Sequence, residues 1–178
     1  VLIIGTLIAM LLWWCRNAAD ILEPYFVVLN SLPKTALAPI LIVWLGNNMK
    51  TIIVCGVTMA VFSTIINLYT AFIHIDSDKL LLIRTLGGTR RDILRYIVLP
   101  ASISAIVSNL KVNIGLCLVG VIIGEFLAAN AGLGYLIIYG SQVFRLDYVM
   151  LSIIILCILA MVLYQLLSFV KKRYQKKQ

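Results

Sequence analysis

The chain has 178 residues, 62% of them hydrophobic and only 12% charged, with a formal net charge of +8 and a mean hydropathy of +1.06. About a quarter of the residues of a soluble domain are charged, so this composition excludes an ordinary soluble core and predicts a chain that lives in lipid. The positive balance needs no nucleic acid to explain it, because membrane topology distributes the cations.

A helix needs roughly 20 apolar residues to cross about 30 Å of hydrocarbon. Uninterrupted apolar character runs over residues 1 to 15, 27 to 45, 51 to 73, roughly 112 to 138, and 149 to 170, which predicts an all-α polytopic membrane protein of about five spans. The opening run, VLIIGTLIAMLLWWC, is short for a crossing and begins at Val1, so an N-terminal truncation is expected. The second run carries Pro33 and Pro39 and is expected to kink or break, which membrane helices tolerate when neighbours satisfy the freed carbonyls. The fourth holds Gly115, Gly120, Gly124, Gly132 and Gly134. Close backbone approach is expected along it, with an irregular end at AANAGLGYLI.

Lys and Arg in short loops stay on the cytoplasmic side. With residues 74 to 100 cytoplasmic, alternation of the spans puts Arg16 and the tail KKRYQKK inside too, leaving Lys50 and Arg145 in outside loops. The tail at 171 to 177 is expected to anchor a helix end to anionic headgroups. The reverse orientation would expose nearly all the basic residues outside.

Residues 76 to 100 interrupt the oily pattern with five cations, Lys79, Arg84, Arg90, Arg91 and Arg95. The stretch predicts two short helices with a hinge. Asp76 or Ser77 caps the first, Gly87 and Gly88 stop it because Gly adopts the left-handed conformation cheaply, and T-R-R-D at 89 to 92 has the form of an N-terminal cap. Ile93, Tyr96 and Ile97 share one face of the second helix, Arg91 and Arg95 another, and Pro100 closes it or starts the next. Such a pair suits gripping by another protein; a helix lying on the lipid surface fits the pattern as well.

Cys15, Cys55, Cys117 and Cys157 fall one to an apolar run without metal or redox spacing, and His74 has no ligand-type partner, so no metal site is expected. A G-x-x-x-x-G-K-S/T phosphate loop is absent from the sequence, and with one His no nucleophile-base grouping forms. Glu125 is the one carboxylate inside an apolar run. An acid near the bilayer centre costs about 3 kcal/mol on insertion scales, so it is expected to face a partner or a wet cavity. Lys111 is expected to snorkel to the cytoplasmic interface, which puts Glu125 roughly 21 Å further along at 1.5 Å per residue, toward the outside. On that basis Glu125, Asn130, Gly132 and Gly134 are candidates for lining or gating the outer part of a solute path; the alternative is that Glu125 only holds helices together.

These residues resemble the transmembrane permease subunits of bacterial ABC importers. Those carry E-A-A, three residues, Gly, nine residues, I-x-L-P in a cytoplasmic loop. Here Gly87 is followed after nine residues by Ile97, then Leu99 and Pro100, while Leu81, Leu82 and Ile83 occupy the E-A-A positions, so the acid is absent. LNSLPKTALAPILIVWLG, residues 29 to 46, is similar to the P-x-x-A-x-x-P segment of the nitrate, taurine and aliphatic-sulfonate class, and GEFLAANAGLGYLI, residues 124 to 137, to its E-F-x(5)-G-L-G signature. The three motifs stand in the family's order and cover most of residues 25 to 170.

The resemblance implies a permease fold of the type I importer kind, one permease domain over 1 to 178 with a coupling loop at about 76 to 100, and no catalysis or cofactor in this chain, ATP being bound by a partner. The coupling residues carried over are Leu81, Leu82, Ile83, Arg84, Gly87, Gly88, Ile97, Leu99 and Pro100. By position, Leu81, Leu82, Ile83, Arg84 and Gly87 would face the ATPase groove, the three apolar ones contributing by burial at about 25 cal/mol per Å². Implied partners are cytoplasmic ATPase subunits, an external substrate-binding protein, a second permease copy and the bilayer, with no nucleic acid. The implied cargo is a small solute of sulfonate, nitrate or thiamine-precursor type, moved by alternating access across the bacterial cytoplasmic membrane. A secondary transporter or channel, or a scaffold holding a cytoplasmic partner, is the rival reading of the residues alone.

Overall fold

The computed structural model describes the backbone of residues 1–175 and the side chains of residues 1–33 and 35–169. The tail at 171 to 177, expected to anchor to headgroups, lies outside the described side chains. The described residues are all helical or irregular, with eight helices: α1 (Leu2–Trp14), α2 (Arg16–Ser31), α3 (Lys34–Leu45), α4 (Met49–Ile73), α5 (Ser77–Thr85), α6 (Arg90–Ala128), α7 (Leu133–Gln142) and α8 (Leu146–Gln175).

Against the five spans expected, three helices, α4, α6 and α8, are long and apolar enough to cross a membrane, or four spans if α2 and α3 together count as one. The opening run makes a helix of only 13 residues, about 20 Å long. The second run breaks at Leu32 and Pro33 because Pro33 has no amide hydrogen to continue the ladder, yet α3 continues past Pro39. The run from 112 extends back to Arg90 instead of starting after Pro100, and it stops at Ala128, four residues before α7.

Continuity through Pro100 comes from a π-helical turn over Leu94–Val98. There the Leu99 amide donates to the Leu94 carbonyl, five residues back, and the extra residue accommodates the missing donor and the ring of Pro100. The wider turn also shifts the helical register. Ile93 and Val98 are buried, while Tyr96, expected beside Ile93, is 63% exposed.

The chain forms two compact units, Val1–Ser31 with Val61–Leu110, and Leu32–Ala60 with the residues from Lys111 onward. In the first, α1 contributes Ala9 and Leu12, α2 Ala19, α4 Ile65, Leu68, Tyr69 and Phe72, and α6 Ile93 and Val98 to one apolar cluster. Gly5 lies against α4 so closely that a Cβ would sit 2.5 Å from the Thr64 Cγ2.

In the second unit α4 and α6 meet through small residues, as the glycine content predicted. A Cβ on Gly120 would lie 2.6 Å from the Gly56 Cα and 2.9 Å from the Cys55 carbonyl oxygen. Lipid tails are as apolar as Leu, so this contact is held by close van der Waals packing, which only small residues permit. Gly46, at φ 80°, ends α3; the Asn48 side chain then donates to the Leu45 carbonyl (2.7 Å) and accepts from the Thr51 amide (3.2 Å) at the start of α4.

Candidate functional site

Two local constructions carry the expected functional residues, one in each unit. The first is the elbow between α5 and α6. Asp76 caps α5 by accepting from the Asp78 amide at 3.0 Å. At the other end Gly87 takes φ 77°, its amide donates to the Arg84 carbonyl (3.0 Å), and the Gly88 amide donates to the Ile83 carbonyl (2.9 Å). This is the paired 5→2 and 6→1 termination of a Schellman motif. The two glycines do different work. Gly87 supplies the left-handed backbone with open space around it, whereas a Cβ on Gly88 would lie 2.4 Å from the Ile83 Cγ2.

Thr89 restarts the chain as a helix, as its spacing predicted: the Asp92 carboxylate accepts from the Thr89 amide (2.7 Å) and hydroxyl (2.6 Å). The next residue, Arg90, reaches back through its guanidinium to the Trp14 carbonyl at the end of α1, at 3.1 Å. That carbonyl lies in the last turn of α1, which has no intrahelical donor for it, so the elbow and the end of α1 are joined by a charge-assisted hydrogen bond.

Along α5 the side chains divide. Leu81, Leu82 and Leu86 are 59%, 60% and 76% exposed, while Leu80 and Ile83 pack against the apolar cluster of their unit. Ile83, placed by the resemblance among the outward residues, is turned inward, because the 100° step of a helix cannot put 81, 82 and 83 on one face. Arg84 is exposed but borders a cavity of about 320 Å³ that Trp13, Arg16, Asp20, Glu23 and Arg90 also line. Ile97 and Leu99 are half-buried in the first turns of α6, and Pro100 is exposed. The cavity's charged wall was not read from the sequence. Its signal was the i, i+4, i+7 spacing of Arg16, Asp20 and Glu23, which sets all three on one face of α2.

Helix α6 is longer than the hydrocarbon is thick, so part of it must protrude, and the cations of its first turns mark the elbow end as the one that does. Helix α6 has 39 residues, about 58 Å against some 30 Å of hydrocarbon, and Arg90, Arg91 and Arg95 crowd its first turns.

The second construction is the break between α6 and α7. Glu125 stands in the last turn of α6, and its Oε2 accepts from the Gly134 amide at 2.7 Å. Gly132 caps α7 with φ 120°, and Gly134 is the second residue of that helix. A carboxylate is favoured there because the first amides of a helix lack intrahelical acceptors and carry the positive end of its dipole. Both glycines are dictated by the acid. A Cβ on Gly132 would lie 2.6 Å from the Glu125 Oε2, and one on Gly134 would lie 2.8 Å from the Glu125 Cβ and 2.9 Å from the Ile122 carbonyl oxygen. The E-F-x(5)-G-L-G spacing therefore has a physical meaning: one helix ends on an acid, four residues turn, and the next helix starts on it with no side chains in the way. The structure brings Glu125, Gly132 and Gly134 together; Asn130 is exposed in the break and makes no hydrogen bond to the carboxylate.

Lys111 does not simply extend toward solvent. Its Nζ donates to the Ser168 Oγ at 3.0 Å and stands 4.7 Å from the centre of the Tyr164 ring, both on α8. Among the described residues no three His, Cys, Asp or Glu side chains are grouped to hold a metal ion.

A helical membrane protein with a capped, charged elbow and a carboxylate-pinned helix break is thus what residues and geometry define. The family model for the binding-protein-dependent transport system inner membrane component matches residues 2–177, and the chain belongs to that family. It is similar to a probable ABC transporter permease protein of Haemophilus influenzae, 27% identical over 170 residues that make up 96% of this chain and 69% of that protein. It is also similar to the formylaminopyrimidine transport permease protein ThiX of Halalkalibacterium halodurans, 27% identical over 75% of this chain and 54% of that one. The riboflavin transport system permease protein RibX of Chloroflexus aurantiacus is 23% identical over 89% of this chain and 58% of its own length. The chain thus spans between 54% and 69% of the length of these relatives.

Proposed function

We propose that this chain is the permease subunit of an ATP-driven importer and that α5 with the elbow after it docks on a cytoplasmic ATPase subunit. The observation that carries this reading is the division of α5: Leu81 and Leu82, with Leu86 directly after the helix, stand exposed, while Leu80 and Ile83 hold the capped helix to its unit. An apolar face on a short free helix would bend under load. On a fixed elbow continuous with a 39-residue helix, a push on α5 becomes a displacement of α6. Arg84, Gly87, Gly88, Ile97, Leu99 and Pro100 serve this transfer by shaping the elbow and the start of α6.

The orientation follows from the cations, with the elbow and the C-terminal end cytoplasmic. That a single family model runs over 2–177 supports reading both compact units as parts of one permease domain, which works as a pair beside an external binding protein. Glu125, Asn130, Gly132 and Gly134 border the outer part of the solute path, and the Glu125 bond to the Gly134 amide keeps the break shut on itself during the cycle. The relatives named for a formylaminopyrimidine and for riboflavin support a small organic solute as cargo; sulfonates and nitrate belong to the same screen.

The test is cross-linking and uptake in the assembled system. A cysteine at Leu82 should cross-link to the ATPase subunit in membranes, and uptake of the binding protein's ligand should require ATP. Cross-links that run only to lipid, or uptake driven by an ion gradient without ATP, would overturn the reading in favour of a scaffold or a secondary transporter respectively.

A further inference from the structure

We infer that Lys111, Ser168 and Tyr164 form a binding site for the phosphate headgroup of an anionic phospholipid. Lys111 lies in the middle of α6, and a cation within a membrane helix normally finds a carboxylate or a wet cavity. It has no Asp or Glu partner: all seven acidic side chains of the chain are described, and among the described residues the ion pair formed is Arg145 with Asp147. Lys111 is instead held by a neutral hydroxyl and a ring, so its charge is positioned but not neutralised.

The chemistry left over suits a phosphodiester. An ammonium has three hydrogens, and one is used on the Ser168 Oγ. The Ser168 oxygen accepts in that bond, so its own hydrogen is free to donate outward. Beyond the contacts to Ser168 and the Tyr164 ring, the ammonium and the hydroxyl keep donor capacity for an oxygen-rich anion.

Depth selects the source of that anion. In the sequence the apolar run of α8 reaches Val170 before Lys171, so Ser168, and with it Lys111, stands near the end of the span, where headgroups lie. The sequence continues with Lys171, Lys172 and Arg173, and basic stretches directly beyond a span attract anionic headgroups. On the face of α8 that carries Tyr164 and Ser168, Ile154 and Met161 are exposed, an apolar strip for acyl chains, and Tyr164 is half exposed beneath the headgroup. A free phosphate would gain nothing from that strip. Only the choice of leaflet, the inner one, rests on the orientation proposed above.

The experiment is native mass spectrometry of the purified permease and ATPase complex in mild detergent, titrated with phosphatidylglycerol or phosphatidylcholine. The wild type should retain phosphatidylglycerol in preference. Since one cation near a headgroup is worth about 1 kcal/mol, Lys111→Gln should lower that retention about fivefold. Lys111→Arg should restore it, Ser168→Ala should lower it less, and Lys50→Gln should leave it unchanged. Inorganic phosphate should not displace the lipid. Equal retention by wild type and Lys111→Gln, or displacement by phosphate, overturns the site as a lipid site; loss of lipid only when the two permease copies separate assigns the surface to the second copy. If Lys111→Gln does not assemble, Ser168→Ala decides the matter: lowered phosphatidylglycerol retention supports the site, and retention equal to wild type overturns it. Retention in detergent is independent of leaflet, so a wrong orientation would move the site without abolishing it.

Discussion

Substitutions at Glu125 separate its hydrogen bond from its charge. Glu125→Gln keeps an acceptor within reach of the Gly134 amide, now 2.7 Å from the carboxylate, but the bond becomes neutral. A hydrogen bond to a charged group contributes about 1.5–3 kcal/mol and a neutral one about 0.5–1.5, so the change costs about 1 kcal/mol. Glu125→Ala removes the acceptor altogether, leaves the first turn of α7 without it, and costs about 2–3 kcal/mol. Gly132→Ala attacks the same bond from the other side: its φ of 120° and a Cβ 2.6 Å from the Oε2 add backbone strain of about 1–3 kcal/mol and expel the carboxylate. At about 2–4 °C per kcal/mol for a chain of this size, the midpoint for heat-induced loss of the monodisperse complex should fall by about 2–4 °C for Gln and clearly further for Ala and Gly132→Ala. Uptake measured in vesicles at a permissive temperature should survive in the Gln variant. An Ala variant as stable as wild type would refute the pinning argument, and so would a Gln variant that keeps its midpoint but loses uptake, since the charge would then act on the solute.

The two elbow glycines should separate in the same assays. Gly88→Ala, blocked by the Ile83 side chain and carbonyl, should lower ATP-driven uptake more than Gly87→Ala, whose cost is the left-handed backbone alone, about 1–2 kcal/mol; equal effects would mean that the turn's packing is irrelevant. Replacing Leu81 and Leu82 together by Ser should sharply reduce the ATPase recovered with the permease while leaving the permease's own midpoint within about 2 °C, as expected for exposed positions. Between α4 and α6, Gly120→Ala should abolish stable expression because backbone stands in the way, whereas Gly115→Ala, with nothing within 4 Å, should stay within about 0.5 kcal/mol of wild type. Expression and thermal midpoints of the pair check this directly.

Much of the elbow was legible because its signals act within one turn of chain. A glycine pair stops a helix wherever it occurs, since the left-handed conformation is cheap for Gly and dear for others, and a hydroxyl three residues before an acid caps the next helix by local geometry. The same holds for the lipid-compatible composition, for the break at Pro33, and for the glycines that let α4 approach α6. The spacing of Glu125 from Gly132 and Gly134 was visible as a motif, but its meaning was not, because a sequence does not say that a four-residue turn brings the amide back to the acid.

Tertiary structure decided what depends on register and on distant partners. Tyr96 left the buried face because a π turn before Pro100 inserted a residue into the helical count, and Val98 took its place. Ile83 turned inward because the apolar cluster of its unit offered a surface on that side. Lys111 found Ser168, 57 residues away, and Arg90 found the Trp14 carbonyl 76 residues back. Local rules fix where helices begin, end and face lipid, since those depend on a few adjacent dihedrals; which faces meet depends on the packing of whole helices, and composition alone leaves that choice open.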